Sequence, residues 1–368
     1  MTQKKVIILG ATGSIGSSTL DIIRKKPDLF EIVAFSAHSD QNGYNKIAAE
    51  FPKAKSVLSS QSGQKALLEM IRQTDADIVV NGIAGSSGLL PSKEVLESGK
   101  DLALANKETI VMAGPLIRQL AKNNNKALLP VDSEHSAVFN MIENFGKDSV
   151  SEIILTASGG PFRTLSAKQL NSVTAKDALQ HPTWSMGAKI TIDSASLANK
   201  GLEVIEACRL FDMNPENVKV VVHPQSLVHS LIRTRDGTLY AQISHPDMKH
   251  PIFSALTWPL FSESGLKQLN FDSLCTMTFE PPRWEDFPLL GLAYRCAALS
   301  KSYTIAYNAS NEETVAAFLL GKIRFNQLAS ITAKVLEYDW GQEPLTFEEI
   351  LDADARSRNL AKQIIQGL

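Results

Sequence analysis

The sequence predicts an α/β chain in three parts: an N-terminal domain on a doubly wound parallel sheet, an α+β middle domain, and a small C-terminal helical domain. Three observations predict this. Over the first third, short β-branched runs alternate with amphipathic stretches, as βαβ units require. From Ile153 strands crowd together around a hairpin turn, and beyond Leu289 only helix-like stretches remain.

Taken in order, residues 6–9 are an apolar run ending at Gly10 and read as the first strand, with 14–26 as the helix behind it. Strands follow at 31–36, 54–58, 77–81, 101–104 and 128–131, with helices between them such as 64–73, 91–98 and 115–123. The polar run Asp132-Ser-Glu-His135 breaks this alternation, so the first domain is expected to span 1–131. The middle domain, 132–257, takes strands at 152–156, 218–222, 230–233 and 239–243 and a helix at 201–211. Its last two strands join through Arg235-Asp-Gly237. Residues 258–288, irregular and Pro-containing, read as a linker. The domain at 289–368 holds helices at 289–300, 311–319, 326–336 and 347–366.

A chain of 368 residues suits roughly two to three domains. Lys+Arg at 37 against Asp+Glu at 39 leaves a net charge of −2, which gives no global attraction to nucleic acid or anionic membrane. No apolar run approaches the ~20 residues of a spanning helix. The run at 6–9 is too short for a signal-peptide core. Cys208, Cys275 and Cys296, odd in number and far apart, fit neither a disulfide framework nor a zinc knuckle. The expectation is a cytoplasmic globular protein.

Gly10-Ala-Thr-Gly-Ser-Ile-Gly16 lies between the first strand and its helix. A tight turn there brings backbone N–H groups against a pyrophosphate at the positive helix end, so a Rossmann-like nucleotide site is expected. The glycines are spaced G-x-x-G-x-x-G, and an ordinary glycine-rich βα turn is the alternative. The second strand runs out through Phe35-Ser-Ala-His-Ser-Asp40 with no acid at its immediate end, which favours NADP; Asp40 keeps NAD open.

Asn81-Gly-Ile-Ala-Gly85 and Ala105-Asn-Lys-Glu108 each follow a strand, at the ligand-binding edge of such a sheet. Asp132 and Glu134 are expected on an extended segment, pointing the same way, where a hard Mg²⁺ or Mn²⁺ would relieve their repulsion. Glu203 is a third candidate, on one helix face with Asn199 and three residues after Lys200. A solvated loop and a first-turn carboxylate are the plain alternatives. Ala157-Ser-Gly-Gly160, Asp193-Ser-Ala-Ser196 and Asn199-Lys200 could together form a phosphate pocket. His181, His223, His229, His245 and His250 sit near prolines or tryptophan, and His181 beside Trp184 suggests a lid.

These residues, with Pro130-Val-Asp-Ser-Glu-His135, His181-Pro-Thr-Trp-Ser-Met-Gly187, Asn199-Lys-Gly-Leu-Glu203, His223-Pro-Gln-Ser226 and Pro246-Asp-Met248, resemble the 1-deoxy-D-xylulose 5-phosphate reductoisomerase family, in family order over nearly the whole chain. The resemblance implies NADPH- and metal-dependent conversion of 1-deoxy-D-xylulose 5-phosphate, a phosphorylated ketose, to 2-C-methyl-D-erythritol 4-phosphate in non-mevalonate isoprenoid synthesis. It implies rearrangement of the carbon skeleton by retro-aldol and aldol steps, then hydride transfer, in a cleft between domains. It places Asp132, Glu134 and Glu203 on the metal (Mn²⁺ or Mg²⁺, with Co²⁺ a further candidate). Lys107, Glu134, His181 and Glu203 form the implied catalytic set. Lys107, Ser133 and Asn199 surround the substrate hydroxyls, and Ser158, Ser194, Asn199 and Lys200 hold the phosphate. His181 and Trp184 close over it, and His229 and Met248 line the pocket. Thr12, Gly13, Ser14, Ile15, Asn106, Glu108 and Gly187 are implied NADPH contacts, with His38 and Ser39 beside the 2′-phosphate. A homodimer is also implied.

Two departures stand out. His38-Ser-Asp40 replaces the family's usual basic set after the second strand, and Ala306-Tyr-Asn-Ala-Ser-Asn-Glu312 lacks the proline that usually precedes that segment. An aspartate-semialdehyde-type dehydrogenase shares the Gly-Ala-Thr-Gly opening but needs a cysteine nucleophile. A non-catalytic nucleotide-binding regulator would leave three carboxylates without a purpose.

Overall fold

In the computed structural model residues 3–184 and 186–368 are described, so Met1, Thr2 and Ser185 of the tryptophan segment lie outside the described residues. The chain gathers into two compact units: Met1–Thr109, Ile117–Phe139 and Asp247–Lys267 in the first, and Ile110–Leu116, Asn140–Pro246 and Gln268–Leu368 in the second.

The first unit carries a six-stranded sheet of β1 (Lys4–Leu9), β2 (Phe30–Ala37), β3 (Lys55–Leu58), β4 (Ile78–Asn81), β5 (Asp101–Leu104) and β6 (Leu128–Pro130), ordered β3-β2-β1-β4-β5-β6. Every pairing is parallel. Val6 to Leu9 and Ile78 to Val80 are fully buried, the unbroken apolar runs that a sheet covered on both faces demands. The crossovers use α1 (Ser14–Lys25), α2 (Gln41–Glu50), α3 (Ser59–Gln73), α4 (Leu89–Glu97) and α5 (Lys107–Asn123), and α6 (Ser133–Phe145) follows β6. Strand order reverses between β1 and β4, where doubly wound sheets hold ligands.

Three local expectations change. α2, whose Gln-Asn-Gly start is weakly helical, is absent from the sequence pattern; the Asp40 carboxylate starts it by accepting the Gly43 N–H at 2.9 Å. α5 opens at Lys107 rather than Pro115, because Asn106 caps it; Pro115 instead follows a break at Ala113 (φ −130°, ψ 19°). Asp132-Ser-Glu134 is not extended: α6 begins at Ser133, and the Ser136 N–H donates to the Asp132 carbonyl at 2.8 Å.

In the second unit β7 (Val150–Ala157), β8 (Val218–Val222), β9 (Val228–Thr234) and β10 (Leu239–Ile243) form a sheet ordered β10-β9-β7-β8, joined by α7 (Ala167–Leu170), α8 (Ala175–Ala178), α9 (Ala188–Ala195) and α10 (Ala198–Phe211). The next helix, α11 (Lys249–Thr257), counts with the first unit, unlike the expected 132–257 domain. The reason is its apolar face: Ile252, Phe253 and Leu256 enter the first unit's core, and Phe253 meets Phe30 edge-on at 6.3 Å. Residues 259–287 are irregular apart from a bridge between Glu280 and Val222. Then α12 (Pro288–Leu299), α13 (Tyr303–Leu319), α14 (Phe325–Leu336) and α15 (Phe347–Gln366) pack within the second unit. They do not stand apart as a separate 289–368 domain, because α10 is buried on almost every side and takes α12 and α13 as partners. Among the described residues no helix is long and apolar enough to cross a membrane.

Candidate active site

The glycine turn closes against the loop after β4. Gly10 has φ +78°, and a Cβ there would lie 3.0 Å from the Gly82 carbonyl oxygen. A Cβ on Gly16 would lie 2.4 Å from both the Gly10 oxygen and the Ala11 Cα, so only glycine lets α1 start this close to β1. Gly13 occupies the N-cap of α1 without a side-chain cap, and Gly13 and Ser14 are exposed while Thr12 and Ile15 are half-buried. Helix-start N–H groups in such a place suit a phosphate. At the end of β2 the His38 Nδ1 lies 3.0 Å from Ser59 Oγ, and Ser39 is exposed. Asp40 is committed to its capping bond, which argues against its holding a ribose hydroxyl.

At the neighbouring β4 and β5 ends, the Asn106 amide donates to Ile83 O and Gly85 O at 2.8 Å each and to Glu108 Oε2 at 3.0 Å. Asn106 thus clamps the 81–85 loop on the α5 start. Asn106, Lys107 and Glu108 are all buried.

β5 and β6 are adjacent, and the Val131 N–H donates to Leu104 O at 2.9 Å, so the starts of α5 and α6 lie side by side. This brings the Lys107 ammonium onto the Asp132 carboxylate, with side chains only 6% and 13% exposed. Ser133 Oγ donates to Glu134 Oε2 at 2.5 Å. Glu134 lies in the first turn of α6, where the helix dipole favours an anion. The fully buried His135, which sequence reasoning did not single out, brings a ring nitrogen within 4.8 Å of an Asp132 carboxylate oxygen. Its signal was its place in the run Asp132-Ser-Glu-His135.

The second unit repeats the lysine–carboxylate device. α10 opens after Leu197 at φ +58°. In its first turns Lys200 Nζ pairs with Glu203 Oε2 at 2.5 Å, and Asn199 Nδ2 donates to Glu203 Oε1 at 2.5 Å. Glu203 is fully buried, and both of its carboxylate oxygens are bonded.

Ser158, His181 and Ser194 converge. His181 Nε2 is 3.1 Å from Ser158 Oγ and 3.1 Å from Ser194 Oγ. The Nδ1 accepts the Thr183 and Trp184 N–H groups at 3.1 and 2.9 Å, so the neutral ring carries its proton on Nε2 and can donate it to a hydroxyl or a phosphate oxygen. Burial lowers the His181 pKa and favours that neutral form. Trp184 is half-buried beside it, and Gly187 caps α9 with open space around it. His229 Nε2 lies 2.8 Å from Ser244 Oγ, and Met248 stands at the start of α11 in the first unit. His223 is structural: Nδ1 meets Thr278 O at 2.8 Å, Nε2 accepts the Leu227 N–H at 3.1 Å, and the ring stacks on Phe279.

Cys208 and Cys296 do not suit nucleophilic catalysis. Burial pushes the Cys208 thiol on α10 and the Cys296 thiol on α12 each up to about 12.

Sequence models described as 1-deoxy-D-xylulose 5-phosphate reductoisomerase match residues 6–62 and 39–114. The 1-deoxy-D-xylulose 5-phosphate reductoisomerase C-terminal domain matches 128–211, and the DXP reductoisomerase C-terminal domain 243–360. The chain is 49% identical to the 1-deoxy-D-xylulose 5-phosphate reductoisomerase of Treponema denticola over 369 residues, covering 98% of this chain and 97% of the relative. It is 45% identical to that of Chlorobaculum tepidum over 381 residues, covering 99% and 100%. A crystal structure of DOX-P reductoisomerase with NADPH, fosmidomycin and magnesium superposes with a TM-score of 0.90 at 37% identity, covering 99% of this chain and 98% of that one. The Zymomonas mobilis enzyme in complex with NADPH gives 0.89 at 37% identity, covering both chains in full (100% each).

Proposed function

The chain belongs to the 1-deoxy-D-xylulose 5-phosphate reductoisomerase family, and from that premise we propose which residues hold its metal, substrate and cofactor. It is an enzyme that uses NADPH and a divalent metal to convert 1-deoxy-D-xylulose 5-phosphate to 2-C-methyl-D-erythritol 4-phosphate in isoprenoid synthesis.

In the proposed assignment Asp132, Glu134 and Glu203 hold the metal. Buried acidic oxygens carry this reading: the Asp132 side chain is 13% exposed, Glu203 is fully buried, and a His135 ring nitrogen lies within 4.8 Å of an Asp132 oxygen. Anionic oxygens this sheltered suit a hard dication such as Mg²⁺ or Mn²⁺. Bound there, the cation supplies Lewis-acid polarisation of adjacent ketose oxygens, and NADPH supplies the hydride.

The chain's own groups do the rest. Lys107, Ser133 and Asn199 orient the substrate hydroxyls. Ser158, Ser194, Asn199 and Lys200 bind the phosphate, and the His181 Nε2–H donates to it, the tautomer being held by the two backbone N–H groups on Nδ1. Trp184 excludes water, and His229 and Met248 line the pocket. Thr12 to Ile15, Asn106, Glu108 and Gly187 contact NADPH, with His38 and Ser39 beside its 2′-phosphate. The protein acts as a cytoplasmic homodimer. Support for the dimer comes from β10, an edge strand on which Leu239, Tyr240 and Ile243 are 45%, 37% and 43% exposed.

The test is NADPH oxidation on adding 1-deoxy-D-xylulose 5-phosphate. The reading expects turnover with Mn²⁺, loss on EDTA and recovery on re-adding metal. Full turnover in EDTA contradicts it.

A further inference from the structure

α9 carries Ser194 yet has little of its own to hold it in place. It runs only from Ala188 to Ala195, and Gly187 gives it no side-chain cap. One turn face, however, holds a buried anion. Asp193 is 1% exposed, and its Oδ1 accepts from Asn311 Nδ2 at 2.8 Å while Oδ2 pairs with Lys189 at 2.9 Å. Asn311 lies on α13 and is fully buried. Because an ionised carboxylate only accepts, the Asn311 NH₂ must be the end that faces it.

A buried carboxylate usually stabilises a fold no better than an apolar residue of its size would, whereas it does fix geometry. What it fixes here is a set of phosphate-pocket groups. Ser194, next along the helix, reaches His181, and His181 reaches Ser158. A Cβ on Gly160 would lie 2.7 Å from the Ser194 carbonyl oxygen, so the Ser158-Gly-Gly160 loop also rests on the α9 backbone.

We propose that Asn311, acting through Asp193, is a positioning residue for the phosphate pocket: it locks α9 to α13, so that Ser194, His181 and Ser158 meet the phosphate together. The proposal rests on the phosphate reading of Ser158 and Ser194.

The experiment measures steady-state kinetics and inorganic-phosphate affinity for Asn311→Ala, Ser194→Ala and Ser357→Ala, well below each variant's Tm. Ser357 is also fully buried and bonds Ala306 O at 3.1 Å on α13, so its loss perturbs α13 without removing a bond to α9. Asn311→Ala is expected to raise the ketose KM and weaken phosphate binding about tenfold, as one lost hydrogen bond to a charged group would. Its kcat and NADPH KM should stay within about twofold, and Ser357→Ala should change neither ligand's KM. An unchanged ketose KM in Asn311→Ala, with Ser194→Ala raising it, overturns the positioning role alone. An equal rise in Ser357→Ala overturns it as well, as general loosening. An unchanged KM in Ser194→Ala overturns the phosphate reading beneath it.

Discussion

The two units hold their proposed ligand groups by opposite means. In the first, backbone does most of the positioning: parallel strands end along one edge, strand order reverses between β1 and β4, and glycines bring the turn after β1 against Gly82. In the second, side chains do it. Ser158, His181 and Ser194 hold one another, and Lys200 and Asn199 hold Glu203. The first unit should therefore be sensitive to added atoms and the second to lost charge or protons.

The largest effect is expected at Gly16. Gly16→Ala sets a Cβ 2.4 Å from backbone atoms of Gly10 and Ala11, which cannot give way as a side chain would. A loss of about 1–3 kcal/mol in denaturant unfolding is expected, with a raised NADPH KM. Gly187→Ala, with no atom within 4 Å, should unfold like the parent. Equal losses at both would erase the contrast.

A middle-sized effect tests the second unit. His181 has a pKa below its usual 6.5 because burial disfavours the cation. The unfolded segment therefore takes up a proton more readily, and stability present above pH 6.5 is lost as pH falls toward the lowered value. Protonation would also set a proton on Nδ1, which already receives two N–H groups. The ketose KM should rise several-fold on the acid side of 6.5 in a pH–KM profile, and His181→Gln should flatten that limb.

The smallest effect concerns Asp40. Its carboxylate caps α2, so Asp40→Asn, which can still accept the Gly43 N–H, should cost only a few tenths of a kcal/mol and leave the preference for NADPH over NADH unchanged. A marked gain in that preference would show that Asp40 faces the ribose.

The same contrast explains what could be read from the chain. Apolar runs such as Val6 to Leu9 can only be buried strands, so the parallel sheet and its glycine turn were legible, as were β8 and β10. The α6 start was misread as extended although Asp132 followed by Glu134 is a helix-start signal; the preceding strand made a second extended stretch look natural. The placement of α11 in the first unit depends on Phe253 meeting Phe30, a contact between residues far apart in sequence that no local pattern encodes. Asn311 was visible only as part of a resembling segment, since its partner Asp193 lies more than a hundred residues away.

The central claim is the proposed metal set of Asp132, Glu134 and Glu203. Mn²⁺ titration of the purified protein, followed by electron paramagnetic resonance of the free ion, tests it most directly. The account predicts one tight Mn²⁺ per chain, weakened at least tenfold in both Asp132→Asn and Glu203→Gln when each folded variant is titrated well below its Tm. Parental Mn²⁺ affinity in Glu203→Gln would contradict it.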